Sequence, residues 1–92
     1  MKEIDMKPEF YDVVDEFISL ANKFSEKHSS TRVSSVMMFA ASRYNAFNFF
    51  LTDGLHGNEE KAIDYYCEQY RLMLLDNFDE IRTEFTKDNE KN

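Results

Sequence analysis

Apolar residues recur along the chain at helical spacing in three stretches, and nowhere do they alternate as a strand requires. In the first stretch Phe10, Val13, Val14, Phe17, Leu20, Ala21 and Phe24 fall on one side. Asp12, Asp15, Glu16, Ser19, Asn22, Lys23 and Glu26 fall on the other. Pro8 suits a first turn, where its missing N–H costs nothing. Glu9, Asp12 and Asp15 lie near the positive end of the helix dipole. The spacing predicts an amphipathic helix over 8–27, preceded by a loose lead-in, Met1–Lys7.

The third stretch predicts a helix over 59–85. Its stripe is Ile63, Tyr66, Cys67, Tyr70, Met73, Leu74, Phe78, Ile81 and Phe85, with Asn77 inside it. Tyr65 and Leu72 sit two turns apart on its back. The polar tail Thr86–Asn92 is expected to fray.

The middle stretch, RVSSVMMFAASRYNAFNFFLT over 32–52, differs from both. At about 100° per residue, Val33, Val36, Met37, Ala40, Tyr44, Phe47 and Leu51 form one stripe. Met38, Phe39, Ala46, Phe49 and Phe50 fall on the opposite side. Polar residues are confined to a lane of Ser34, Asn45, Asn48 and Thr52. Ser35 and Ser42 stand among the back-face apolar groups, and Arg43 at a margin. A helix apolar nearly all round belongs in a large core, a membrane or an oligomer. Arg43, Asn45 and Asn48 interrupt any apolar run of the about 18 residues that a membrane span needs. Ninety-two residues make a single domain, too small for a large core. Self-association is the expectation that remains.

Short connections separate the three helices. Ser29, Ser30 or Thr31 is placed to cap the central helix. Asp53–Gly54 ends it, with Gly54 as the left-handed terminal residue and Leu55 folding back on the last turn. Asn58 with Glu59 and Glu60 starts the third helix. The expected fold class is all-α, a three-helix up-down-up antiparallel arrangement completed by homo-oligomerisation, most simply a dimer. The stripe containing Phe47 should then be intrachain core. Met38, Phe39, Ala46, Phe49 and Phe50, with Tyr65 and Leu72, should meet another chain.

Composition narrows the function classes. A net charge of −7 repels phosphate backbones and anionic membrane surfaces, so neither nucleic acid nor membrane is an expected partner. Nine Phe and five Tyr at helical spacing are read as packing groups. One cysteine excludes an internal disulfide framework, and no charged-then-apolar leader opens the chain, so the cytoplasm is the expected compartment.

Candidate chemistry is sparse. Cys67 lies on the apolar stripe of the third helix, where a thiol behaves as a small hydrophobe. His28 and His56 fall in connections, remote from a nucleophile. The chain has no Glu-x-x-His or His-x-x-x-His spacing, so no metal or other cofactor is expected. No catalytic residue is identified. The unusual segment is SRYNAFN, 42–48. In a structural role Arg43 would pair with a carboxylate from a neighbouring helix or chain, such as Asp12, Asp15, Glu16 or Glu68, and Asn45 and Asn48 would bond across a close helix crossing or fix the register of an oligomer. In a functional role Arg43, Asn45 and Asn48 with Tyr44, Tyr66 and Tyr70 would line a small-anion pocket, for binding or for catalysis.

Three segments carry a resemblance. EFYDVVDEFISLAN (9–22), RVSSVMMFAASRYNAF (32–47) and CEQYRLMLLDNFDE (67–80) together resemble a family of short bacterial proteins classified as a domain of unknown function. Its members share an "FY…D.FI.LAN" opening, a "VS…AA.R.NAF" central helix and a "QY..ML..N.D" third helix. A Pro-Arg-Gly-type turn precedes the central helix in that family. HSST stands here instead, leaving Arg32 as its basic counterpart. The resemblance implies an all-helical bacterial cytoplasmic protein and brings no activity, substrate or cofactor. The expected role is that of a non-enzymatic, self-associating module that acts by binding another protein or by stabilising an assembly.

Overall fold

In the computed structural model, residues 8–90 are described, with side chains over 9–87. The lead-in Met1–Lys7 and the end of the tail lie outside the described residues. Among the described residues the fold is all-helical: α1 is Pro8–Phe24, α2 Ser30–Asp53 and α3 Glu59–Glu90. It divides into two compact units, Met1–Asn48 and Phe49–Asn92, with the division falling inside α2.

In Met1–Asn48, α1 stops three residues earlier than its polar pattern suggested. The amide of Ser25 still bonds Ala21 O at 3.0 Å, but those of Glu26 and Lys27 bond only three residues back, to Lys23 O and Phe24 O. That tightening turns the chain at Lys27 and His28. Ser29 is the cap: its Oγ accepts the Arg32 N–H at 3.1 Å, so α2 begins at Ser30. Phe10, Val14 and Ala21 are half-buried and Val33 is buried. The rest of the apolar stripe on both helices stays open, including Phe17 and Val36.

In Phe49–Asn92, Gly54 takes the left-handed conformation expected of it, with φ of 80°, and its N–H bonds Phe50 O at 3.0 Å. Leu55 does not fold back and is exposed. Phe49 fills the turn instead. Its ring lies against Gly57, where a Cβ would stand 2.7 Å from Phe49 Cζ and 2.9 Å from Asp53 Cβ. Gly57 therefore permits a close approach that no other residue allows without a shift. The Asn58 side chain accepts the Lys61 N–H at 3.0 Å and caps α3. The side chains that α3 turns inward are Ala62, which is buried, and the half-buried Tyr65, Tyr66, Gln69 and Met73. Their spacing defines a true helical face, rotated by about one residue from the expected stripe. Small Ala62, rather than Ile63, supplies its closest approach. The helix also continues through Glu90, beyond the polar boundary expected at 85.

Candidate functional site

In the polar segment of α2, Arg43 meets an aromatic ring. Its guanidinium lies 5.8 Å from the centre of the Phe47 ring, one turn further on. Among the described residues it pairs with none of Asp12, Asp15 or Glu16, and Glu68 instead meets Arg71 at 3.7 Å. Within the chain, the Arg43 guanidinium meets an aromatic face of its own helix. Tyr44 is exposed, Asn45 half-buried and Asn48 exposed. These four belong to Met1–Asn48. Tyr66 and Tyr70 belong to Phe49–Asn92, where Tyr66 packs edge-on against Tyr65 with ring centres 5.4 Å apart.

The residues expected at an interface divide unevenly. Met38, Phe39, Phe50 and Leu72 are exposed, as is Ala46, and Tyr65 is half-buried. Phe49 is the correction: only 6% exposed, it belongs to the core of its own unit. Its position on the opposite side from Phe47 suggested a surface. The turn after Asp53 brings Gly57 over that side and covers it. Phe47, expected in the core, is 60% exposed. Cys67, expected among core groups, is exposed as well; the rotation of the inward face of α3 toward Ala62 accounts for this.

A groove of about 1000 Å³ lies between α1 and the first half of α2. Phe17, Leu20, Ala21 and Phe24 form one wall and Val33, Val36, Met37, Ala40, Ala41 and Tyr44 the other, with His28 and Arg32 at the connected end. Apart from His28, Arg32 and Ala41, these residues belong to the two stripes expected to be core. The same stripe that announced burial carries no information about whether anything fills it.

Chemically the groove offers apolar contact and little else. Among the described residues no buried side-chain N or O atom lacks a hydrogen-bond partner, and no group of His, Cys, Asp and Glu could hold a metal ion. Two hydroxyls of α2 turn onto its own backbone: Ser35 Oγ donates to Thr31 O at 3.1 Å and Ser42 Oγ to Phe39 O at 2.8 Å. No helix among the described residues is long and apolar enough to cross a membrane.

Residues 10–81 match the model of a protein family described as "Protein of unknown function (DUF3144)". No curated protein and no solved structure matches the chain.

Proposed function

From a chain that belongs to the DUF3144 family of proteins of unknown function, we propose a non-enzymatic helical module that works by self-association, a dimer in its simplest form. The observation that carries this reading is the exposure of α2 on both its apolar sides. Tyr44, Phe47 and Leu51 on one side are 74%, 60% and 84% exposed, and Phe39 on the other is 66% exposed. Aromatic and aliphatic groups at this density are costly to hydrate, at about 25 cal/mol per Å². Contiguous patches of them on a small chain mark an interaction surface. The three helices complete their antiparallel up-down-up packing in the assembly, and other proteins can meet the surfaces left over. A net charge of −7 supports a protein partner over nucleic acid or an anionic membrane. A lone cysteine fits a reducing compartment, the cytoplasm. Sedimentation equilibrium at micromolar concentration tests the proposal, with a mass of twice 11.0 kDa expected. A well-folded species that stays monomeric overturns it.

A second reading rests on Arg43, which has no carboxylate partner among the described residues of its unit. It takes Arg43, Tyr44 and Asn45 as anchors for a small anion. Titration calorimetry with sulfate and with short carboxylates tests it. Heat that disappears in Arg43→Ala supports an anion site, and the absence of any heat removes it.

A further inference from the structure

We infer that the groove between α1 and α2 of one copy receives the second half of α3 from another copy. The inference rests on the self-association just proposed and names the surfaces that carry it. The groove walls include Phe17, Leu20, Val36, Met37 and Tyr44, and all of these remain exposed. Small-ligand sites enclose most of the surface of their ligand. A trough whose Phe17 and Tyr44 are 65% and 74% exposed cannot do that. It has the form that takes an amphipathic helix laid along it.

The chain carries such a helix. Leu74, Phe78, Ile81 and Phe85 follow one another at intervals of three and four residues on α3 and are all exposed. They lie beyond the inward face of Ala62, Tyr66, Gln69 and Met73, so packing in Phe49–Asn92 leaves them uncovered.

Charge gives the pairing its direction. At its connected end the groove is lined by Arg32 and His28, and no carboxylate is among its lining residues. Residues 74–85 of α3 hold Asp76, Asp79, Glu80 and Glu84 against Arg82, a net −3. Arg82 is already engaged with Asp79 at 3.2 Å. Two-fold symmetry lets each copy offer both groove and helix, so the contact occurs twice and closes without growing into a filament.

The test uses the full chain with Met37→Lys in the groove and Phe78→Asp on α3. Each substitution places an unpaired charge in both contacts of a homodimer, and each variant alone should associate about a hundredfold more weakly. In a mixture, one contact joins an intact groove to an intact helix, and the other joins the lysine to the aspartate. Sedimentation of the equimolar mixture should therefore recover the dimer mass and, if either variant alone loses helical circular dichroism, the helicity too. If the wild type is a dimer and the variants keep its mass, the groove is not the interface and this inference falls while self-association stands. If the variants lose structure and mixing restores nothing, α3 covers the groove of its own chain, and the inference falls again. A monomeric wild type leaves the groove to a different protein or an apolar ligand and removes both proposals.

Discussion

Phe47 and Phe49 are two residues apart on α2, about 200° apart around it, and they end in opposite surroundings. Phe49 is 6% exposed and Phe47 60%. Phe47 belongs to the longer and better-formed stripe, and by pattern alone it is the core residue. What separates the two is the connection that follows the helix. Gly54 reverses the chain in the left-handed conformation, and Gly57 then lies against Phe49, with no side chain to hold the ring away. On the Phe47 side no such cover forms within Met1–Asn48, and the ring carries Arg43 on its face. A stripe says which side of a helix favours burial. The turns decide which side receives it.

The contrast is sharpest under substitution by a charge. Phe49→Glu should unfold the Phe49–Asn92 unit. Removing a buried phenyl costs about 3–5 kcal/mol, and an unpaired carboxylate in its place adds to that. Phe47→Glu should leave the melting temperature of the monomer nearly unchanged, as exposed substitutions shift stability within about 0.5 kcal/mol. Thermal melts followed by circular dichroism at low concentration compare them directly. Equal loss of structure in the two variants would mean that Phe47 is core after all.

The glycines come next. Gly57→Ala forces a methyl toward the Phe49 ring and should destabilise by about 1–3 kcal/mol, the usual cost of overpacking. Gly54→Ala meets open space but must hold φ near 80°, a strain of about 1–2 kcal/mol. Combining Gly57→Ala with Phe49→Leu should recover part of the first loss and none of the second, because only Gly57 touches that ring. Denaturant midpoints measured on the wild type, the three single variants and the combinations of Phe49→Leu with each glycine variant settle whether close approach or backbone strain dominates the turn.

A smaller effect is expected at the caps. Ser29→Ala and Asn58→Ala each remove one side-chain acceptor from a helix start, at 3.1 Å and 3.0 Å, and should cost about 1 kcal/mol apiece. Native-state hydrogen exchange should locate the loss in the first turn of α2 for Ser29 and of α3 for Asn58. A small change is also expected for Arg43→Ala, where an exposed cation over Phe47 is worth about 0.5–1 kcal/mol. A double-mutant cycle with Phe47→Leu measures it. A coupling energy of zero would mean that the ring contact contributes nothing.

The helices were legible in the sequence because their signals are local. Pro8, Gly54 and Asn58 mark ends through their own backbone chemistry, and the spacing of Phe10, Val14 and Ala21 needs no partner to be recognised. The inward face of α3 was misjudged by about one residue, since Ile63 and Tyr70 are more apolar than Ala62 and Gln69, which take the inner positions. Hydrophobicity favours the larger side chain, but the space beside the turn accepts the smaller. The groove was hidden for a different reason. Val36, Met37 and Tyr44 look the same in a sequence whether they are covered by their own chain, by another, or by nothing.

The hydroxyls of α2 bear on how readily its surface gives up water. A helix face joins another only after its donors find new acceptors, and any donor left orphaned in the dry contact subtracts its lost hydration. Ser35 and Ser42 have already committed their protons to Thr31 O and Phe39 O inside the helix. Drying the flank that holds Met38 and Phe39 leaves neither of these donors stranded. To an approaching chain these two serines act as small, smooth residues, and the sides of α2 on which they stand are effectively more apolar than their letters suggest.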